Sequence, residues 1–367
     1  MSPANFITKK TDYCNDRKFN GLQIMLLSRL QIHGKVLYKR LLRICDTVWI
    51  GWRFPYTLNS LSAPFLLFYE LLMLVKFHNR NTKAKCQTSV ILVHFISLDS
   101  LIAILFKKLF GYPVILYAIG SDVLGMRSAV QRALLKWVVS KADMVFCVNT
   151  IIQKCVRKMG CENAIIIPTP FLEPNIRYYP IRKEYDVISV GALEPLKDHE
   201  LLIHSCKYVD NDTVIAIVGG GSLKSYLVSL AKQYPNQRIL FLGNIPQKEV
   251  WIELQKAKVY VHTSIREGIP SSILEAIWFK LPVICVKSSF TYDLMNLYGF
   301  KIFEVKERSP RALALKIKDV LENYESYKDV VCLNKEMLKD YIKNWDYKVK
   351  SIFHQLIIKQ KERMYAL

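Results

Sequence analysis

The sequence has no hydrophobic run long enough to cross a membrane. Its longest nearly uninterrupted apolar stretch, Ala63–Val75, contains Glu70 and is shorter than the roughly 18–20 residues that a spanning helix needs. Residues 1–20 lack the apolar core and the small-residue cleavage site of a signal peptide. We therefore expect an N-terminal extension over residues 1–20, no spanning helix and a cytoplasmic location.

The cysteines are not arranged as metal ligands. There are nine, and none forms a Cys-x-x-Cys pair. An odd number without metal-ligand spacing is typical of reduced thiols that pack in the interior. One Asp-x-Asp sequence occurs at Asp210–Asp212, in a polar stretch where we expect a turn. The sequence therefore predicts no metal site.

Acidic side chains are scarce. The sequence has 31 Asp and Glu compared with 52 Lys and Arg, which gives a net charge of +21. Residues 1–180 have 24 basic and 9 acidic side chains, whereas residues 181–367 have 28 and 22. A basic N-terminal half suits an anionic membrane surface or a phosphate-bearing acceptor, although a generally basic solvated surface explains it equally well. Nucleic acid is disfavoured because no RNP-like strand, zinc cluster or basic recognition helix accompanies the charge.

Short runs rich in Val and Ile alternate with longer helical stretches, a pattern typical of βαβ units and parallel sheets. The fold class is therefore α/β. The candidate strands are Leu22–Leu27, Thr47–Gly51, Val90–Phe95, Val114–Ala118, Met144–Val148, Ala164–Ile167, Val187–Val190, Val214–Val218, Ile239–Leu242, Val259–His262, Val283–Val286 and Lys301–Phe303.

A proline-punctuated segment near residues 168–183 disfavours both helix and central strand. It divides the chain into a domain at residues 21–178 and a second at residues 179–344. Ligands of parallel sheets bind beyond the carboxyl ends of the strands. We therefore expect the binding site in a cleft between two Rossmann-like domains.

The segment Thr263–Ala276 carries the most chemistry, because it holds Glu267 and Glu275 eight positions apart after a predicted strand. Ser271 and Ser272 are good N-cap residues, and the N–H groups of a helix starting there would bind a phosphate. Glu275 would then accept hydrogen bonds from two ribose hydroxyls. Alternatively, Ser272 and Glu275 form a capping box that stabilises any helix start.

In these two glutamates the sequence resembles the retaining glycosyltransferases of family 4 (glycosyl transferases group 1), whose donor site has an E-x7-E signature. Val190–Asp198 is similar to the phosphate-binding loop of that family, and Ile217–Gly221 to its next strand and glycine turn. The resemblance extends over about residues 85–345 and is specific only in the second half.

The resemblance implies a GT-B fold and transfer of a sugar, with retained configuration, from a UDP- or GDP-sugar to a lipid-linked, glycan or other acceptor. It implies neither cofactor nor metal. Glu267 and Lys197 are the implied catalytic residues. The implied donor-binding residues are Gly191, Lys197, Gly219, Gly220, Glu267, Gly268, Ile269, Pro270, Ser271, Ser272 and Glu275.

The sequence also departs from the family pattern. Ala192 stands where the phosphate loop usually has Arg, and Ser289, Phe290 and Asp293 replace the usual Gly-Gly and Glu. On the acceptor side the pattern is reduced to Gly34 and Asp122. A catalytically idle sugar- or nucleotide-binding module is therefore the alternative function, ahead of a basic nucleic-acid-binding protein.

Two further segments bear on location and on domain packing. The apolar residues of Leu98–Phe110, like those of Ala63–Val75, suit either the core or a peripheral position on the cytoplasmic face of the membrane. Trp345-Asp346 begins a basic, apolar helix at 345–367. This helix resembles the one that packs back on the N-terminal domain in the family.

Overall fold

The computed structural model describes residues 19–28, 31–43, 45–50, 71–79, 88–97, 99–125, 128–176 and 181–365. The chain forms two compact units. The first runs to Leu172 and includes Lys343–Leu367, and the second is Glu173–Ile342. The chain thus passes from one unit to the other inside the proline-punctuated segment.

Six parallel strands form the sheet of the first unit, in the order β2-β1-β3-β4-β5-β6. The strands are β1 Phe19–Ser28, β2 Cys45–Ile50, β3 Thr88–His94, β4 Val114–Ala118, β5 Met144–Cys147 and β6 Ala164–Ile166. The helices are α1 Gln31–Leu41, α2 71–79, α3 Asp99–Phe110, α4 Ser121–Leu124, α5 Ala129–Lys141 and α6 Thr150–Lys158.

The direction of the connections decides which face of this sheet each helix covers, because crossovers between parallel strands are almost always right-handed. The connections β2–β3, β3–β4 and β4–β5 all advance the same way along the sheet. Helices α2, α3 and α5 therefore share one face. Helix α1 leads back from β1 to β2 and covers the other.

The second unit contains a sheet of the same kind, in the order β12-β11-β10-β7-β8-β9, with every pair parallel. Its strands are β7 Tyr185–Val190, β8 Val214–Val218, β9 Arg238–Gly243, β10 Ala257–His262, β11 Val283–Val286 and β12 Phe303–Val305. Its helices are α7 His199–Ser205, α8 Lys224–Ala231, α9 Gln247–Gln255, α10 Ser271–Trp278, α11 Ser289–Asn296 and α12 Pro310–Glu322.

The last helix, α13 Lys328–Tyr365, begins in the second unit and belongs to the first from Lys343 onward. Trp345 donates a hydrogen bond from Nε1 to the Pro168 carbonyl at 2.9 Å. Together with Val349 and Phe353, the Trp345 ring is buried in the core of the first unit. The aromatic and apolar side chains of this helix thus become part of that core.

Each of the twelve predicted strands corresponds to a strand of the two sheets. The predicted position of the last was wrong, since Lys301–Phe303 precedes the strand, which is Phe303–Val305. The cause is Asn334, whose side chain accepts from Lys301 N at 2.7 Å and donates to Lys301 O at 3.0 Å. Lys301 is therefore bonded to α13 rather than to a strand. The end of another predicted strand, Gly51, lies outside the described residues.

Other predictions concern membrane segments and turns. No helix in the ranges that the structure describes is both long and apolar enough to span a bilayer. Residues 1–18 and 63–70, which bear on the predicted extension and apolar run, lie outside those ranges. Asp210–Asp212 lies at a turn, where Asp210 pairs with Lys318 at 2.8 Å. The cysteines in the described ranges are free thiols, and all except Cys332 are at least partly buried.

Candidate functional site

The site lies at the carboxyl ends of β7 and β10, which are neighbours in the second sheet. The loop after β10 brings Glu267 to the loop after β7. Glu267 Oε2 lies 2.7 Å from Lys197 Nζ, and Glu267 Oε1 lies 2.9 Å from His262 Nε2. Two residues that are 70 positions apart in the chain thus form an ion pair, with a histidine on its other side.

This ion pair keeps the Glu267 carboxylate charged. Burial alone would raise the pKa of Glu267, but His262 and Lys197 outweigh it and hold that pKa well below its usual range. Only 16% of the Glu267 side chain is exposed, compared with 25% of Lys197. The pair is therefore poorly screened by solvent, and its charges act strongly on anything bound beside them.

His262 is itself held by a chain of hydrogen bonds. Its Nδ1 lies 3.0 Å from the hydroxyl of Tyr260, which lies 2.8 Å from Ser272 Oγ. The ring also packs edge-on against Phe290, with the centroids 5.4 Å apart. The chain links the start of α10 to Glu267 and fixes the orientation of the carboxylate.

The two loops are also joined through their backbones. Thr263 Oγ1 donates to the Lys197 carbonyl at 2.8 Å, and Ile265 N donates to the Leu196 carbonyl at 2.9 Å. Lys197 ends a single 3-10 turn, Pro195–Lys197, and is followed by Asp198 with a left-handed φ of 50°. Both backbone contacts lie beside Lys197, so they set the position from which its side chain reaches Glu267.

Arg308, just before α12, fastens the same loops. One of its terminal nitrogens, Nη1, lies 2.6 Å from Asp198 Oδ2 and donates to the Thr263 carbonyl at 2.7 Å. The other, Nη2, donates to the Ser264 carbonyl at 3.1 Å. The guanidinium makes these bonds from two nitrogens held in a fixed fork, a geometry that the single ammonium nitrogen of a lysine cannot reproduce. Arg308 is thus a positioning residue for both Lys197 and Glu267.

The glycine turn after β8 packs directly on the loop after β7. A Cβ on Gly219, whose φ is +145°, would lie 1.9 Å from the Gly191 carbonyl oxygen, and one on Gly221 would lie 2.5 Å from that of Leu193. Both positions exclude any side chain. Gly191 itself would meet only ordinary contacts, the nearest being His199 Nε2 at 3.5 Å. The close approach therefore requires the glycines of the turn rather than Gly191.

Helix α10 begins without a side-chain cap. Its N-cap residue is Pro270, whose side chain cannot accept a hydrogen bond from the helix. The prediction that Ser271 or Ser272 caps this helix was wrong, because both lie inside its first turn. The Ser272–Glu275 capping box is wrong for the same reason, since Ser272 bonds to Tyr260 instead. The N–H of Ile273 bonds to the Pro270 carbonyl at 3.2 Å, so the N–H groups that this helix start leaves for a ligand are those of Ser271 and Ser272.

Glu275 lies in the second turn of α10 and is half-buried. Its Oε1 accepts a hydrogen bond from Gln247 Nε2 at 2.9 Å. Burial raises the pKa of Glu275 to about 7, although the Trp251 indole and the Gln247 amide both act to lower it. Among the residues that the structure describes, no cation pairs with this carboxylate in the way that Lys197 pairs with Glu267.

Residues 175–350 match the family model described as glycosyl transferases group 1. The second unit is a group 1 glycosyltransferase domain. An N-acetylgalactosaminyltransferase of Campylobacter jejuni that acts on a diphospho-undecaprenol-linked acceptor is 30% identical over 106 residues, 28% of this chain and 28% of that enzyme. An uncharacterized glycosyltransferase of Methanocaldococcus jannaschii is 26% identical over 181 residues, 46% of this chain and 44% of that protein. The chain thus matches less than half the length of these curated relatives.

Solved structures share the fold of both units. Sucrose-phosphate synthase from Thermosynechococcus elongatus gives a TM-score of 0.72 at 14% identity, covering 92% of this chain and all of that one. HepE of Anabaena, solved in complex with UDP and glucose, gives 0.68 at 15% identity, covering 91% of this chain and 99% of that one. These similarities, with two parallel Rossmann-like sheets, show the GT-B fold.

Within the glycosyltransferase domain, the structure brings most of the predicted donor residues to one edge of the sheet. Gly191 and Lys197 follow β7, Gly219 and Gly220 follow β8, and 267–275 follow β10. The predicted acceptor-side residues belong to the first unit. Gly34 lies within α1.

Asp122 binds backbone N–H groups of neighbouring loops in the first unit. The carboxylate is completely buried and accepts hydrogen bonds from the backbone N–H groups of Ile96, Ile119 and Gly120 at 2.8–3.2 Å. Burial raises the pKa of Asp122 in spite of these bonds. Its two oxygens therefore hold the loops after β3 and β4 together.

Sequence reasoning missed His262, Arg308 and Gln247. His262 is the last residue of a predicted strand, so its polar side chain at the carboxyl edge was a usable signal. Arg308 lies 41 positions after Glu267 and Gln247 lies 28 positions before Glu275. Neither spacing indicates contact.

Replacing Arg308 with lysine should lower the free energy of unfolding by about 1–2 kcal/mol, because a lysine cannot bond Asp198 and both carbonyls together. Urea denaturation measures this difference. Arg311→Lys is the matched control, since Arg311 is exposed on the first turn of α12 and its replacement should have almost no effect. Equal midpoints for the two variants would contradict the fastening role of Arg308.

Proposed function

We propose that this protein is a family 4 glycosyltransferase that moves a sugar from a nucleotide-diphosphate donor to an acceptor with retained anomeric configuration. The observation that carries the proposal is the convergence, at one edge of the second sheet, of the Lys197–Glu267 ion pair and the uncapped start of α10. One carboxylate and two sources of positive charge then surround the position of a sugar diphosphate.

The diphosphate would bind between Lys197 and the start of α10. The N–H groups of that helix start and its dipole both favour an anion. Gly268 and Ile269 lead into the helix, and Ile269 is buried, which holds the loop against the core. The glycine turn after β8 packs against the loop after β7 and holds that loop in place. These groups supply the positive charge that a metal ion supplies elsewhere, so the proposed mechanism needs no metal.

The ribose would bind to Glu275, whose ionised carboxylate accepts bonds from two neighbouring hydroxyls. Gln247 positions this carboxylate through its bond to Oε1, and the Trp251 indole acts on it as well. A carboxylate has about four lone-pair sites, so sites remain for two ribose hydroxyls. The nucleotide would thus run along the first turns of α10, with its phosphates at the helix start and its ribose at Glu275.

Transfer breaks the bond between the anomeric carbon and the phosphate. Positive charge develops on the sugar and negative charge on the leaving diphosphate. Lys197 and the start of α10 stabilise the diphosphate, while Glu267 stabilises and orients the sugar. The proton of the acceptor hydroxyl passes to a phosphate oxygen as the new bond forms. Each group acts mainly in the transition state, where the charges are largest.

The relatives support particular substrates. HepE was solved with UDP and glucose, which favours a UDP-sugar over a GDP-sugar here. The Campylobacter enzyme acts on a diphospho-undecaprenol-linked acceptor, which favours a lipid-linked acceptor over a free glycan. The basic first half of the chain suits the phosphates of such an acceptor.

A panel of nucleotides and nucleotide sugars tests the proposal. UDP and one UDP-sugar should raise the melting temperature through mass action, whereas ADP should not. UDP release in the presence of the stabilising sugar nucleotide then measures hydrolysis or transfer. The alternative of an idle binding module, favoured by Ala192 in place of a cation, predicts stabilisation without UDP release. If no nucleotide stabilises the protein, the donor site is wrongly assigned.

A further inference from the structure

Helices α3 and α5 of the first unit expose large apolar side chains. Leu109 and Val130 are 61% and 77% exposed, and Trp137 is 47% exposed. We define the basic apolar face as the outer surface of α3 and α5 that carries the exposed apolar residues Leu105, Leu109, Phe110, Val130, Leu134 and Trp137. Burial against the sheet does not account for these residues, because α5 buries Leu135, Val138 and Val139 instead.

The six residues belong to one surface. Val130, Leu134 and Trp137 follow the i, i+4, i+7 spacing of a single helix face. Helices α3 and α5 cover the same side of the sheet, and Lys107 Nζ donates to the Lys141 carbonyl at 2.8 Å. That bond places the carboxyl-terminal turns of the two helices side by side. Phe110 continues the surface toward α2, since its ring lies 4.1 Å from that of His78.

The surface is also strongly basic. Lys108 on α3 and Lys141 on α5 are exposed beside the apolar residues, and Arg132 and Lys136 are exposed on the adjoining side of α5. Helix α5 contains no acidic residue, and the one acidic residue of α3, Asp99, is buried. The exposed apolar side chains are thus flanked by cations with no exposed carboxylate on either helix.

This chemistry favours one kind of partner. Two copies of the face would bring like charges together, and lysine is depleted in the core of protein interfaces. A nucleic acid would leave the leucines and the tryptophan without apolar contacts. The surface of an anionic bilayer accepts both groups, because leucine and tryptophan enter the boundary of the acyl region while lysine and arginine remain with the phosphates.

We propose that the basic apolar face docks the protein on an anionic lipid bilayer as a peripheral membrane protein. This inference goes beyond the proposed donor chemistry, since none of the donor residues takes part. Each proposal can therefore fail without the other.

Cosedimentation of the full chain with vesicles tests it. Vesicles containing phosphatidylglycerol should bind the protein, vesicles of phosphatidylcholine alone should bind it much less, and salt should weaken the binding to the anionic vesicles. Equal binding to both kinds of vesicle, or binding to neither, would overturn the proposal.

Two variants separate the apolar and the charged parts of the face. Leu109→Ser with Trp137→Ser should lower the affinity for anionic vesicles about tenfold, and so should Lys108→Glu with Lys141→Glu. The matched controls lie in the second unit: Leu315→Ser, at a residue 60% exposed, and Lys232→Glu, at an exposed lysine. Neither control should change vesicle binding.

Melting temperature and UDP affinity, measured on each variant, show whether the protein remains folded. If the apolar variant is misfolded, the charge variant alone decides the matter. Vesicle binding that survives the charge reversal in a folded protein would overturn the proposal. The proposal would also be overturned if sedimentation velocity showed that the protein is a dimer and that the Leu109→Ser, Trp137→Ser variant is a monomer.

Discussion

Replacing Lys197 with alanine is expected to slow sugar transfer by about 10²- to 10³-fold, with a much smaller loss of donor affinity. Lys197 Nζ lies 2.7 Å from the carboxylate of Glu267, and its backbone is fixed by Thr263 and Ile265. Because the leaving diphosphate gains charge as its bond to the sugar breaks, a fixed cation stabilises the transition state more than the bound donor. Measurements of kcat and KM from UDP release check both parts.

Lys287→Ala is the matched control for this variant. Lys287 is an exposed cation directly after β11, at the same edge of the sheet, and its removal should change kcat less than about twofold. Combining Lys197→Ala with Glu267→Gln extends the test, because residues in contact have non-additive effects. Sugar transfer by this double variant should be little slower than transfer by the slower of the two single variants. Equal losses from Lys197→Ala and Lys287→Ala would contradict the catalytic assignment.

The fold could be predicted largely from local sequence. Buried parallel strands are nearly continuous apolar runs, which is why the positions of β3, β4, β8 and β10 were visible. The exception, Lys301, is bonded to Asn334, which lies 33 positions away. A contact at that distance leaves no trace in the local pattern, so the strand was placed two residues too early.

The donor site was predictable only in part. Lys197 and Glu267 each stand in a recognisable segment, but their ion pair depends on β7 and β10 being neighbours in the sheet. The role of Glu275 was ambiguous because Ser272-Ile273-Leu274-Glu275 has the spacing of a capping box. The structure removes this ambiguity. Pro270 is the N-cap residue, so the helix begins at Ser271 and Glu275 lies beyond its first turn. The bond between Tyr260 and Ser272 removes the other half of the box.

Glu275→Gln is expected to weaken UDP binding at pH 8 by about 5- to 150-fold, which corresponds to about 1–3 kcal/mol. An amide can still accept one bond from a ribose hydroxyl, but without the charge that makes carboxylate bonds stronger. Calorimetric titration of both proteins with UDP measures the difference. Glu249→Gln, at an exposed glutamate of α9, is the control and should bind UDP like the wild type.

The pH dependence separates ligand binding by Glu275 from a structural role. Burial raises its pKa to about 7, so at pH 6 about nine tenths of the carboxyl is already protonated. The difference in UDP affinity between wild type and Glu275→Gln should therefore shrink at pH 6.

The stability of the folded wild type should change with pH in the opposite sense to its UDP affinity. The folded protein holds this proton more tightly than the unfolded chain, so the wild type loses stability as the pH rises from about 4 through 7. Glu275→Gln avoids that loss and should melt no lower than the wild type at pH 8 while binding UDP more weakly. If wild type and Glu275→Gln bind UDP with equal affinity both at pH 6 and at pH 8, and melt alike, Glu275 has no role in donor binding.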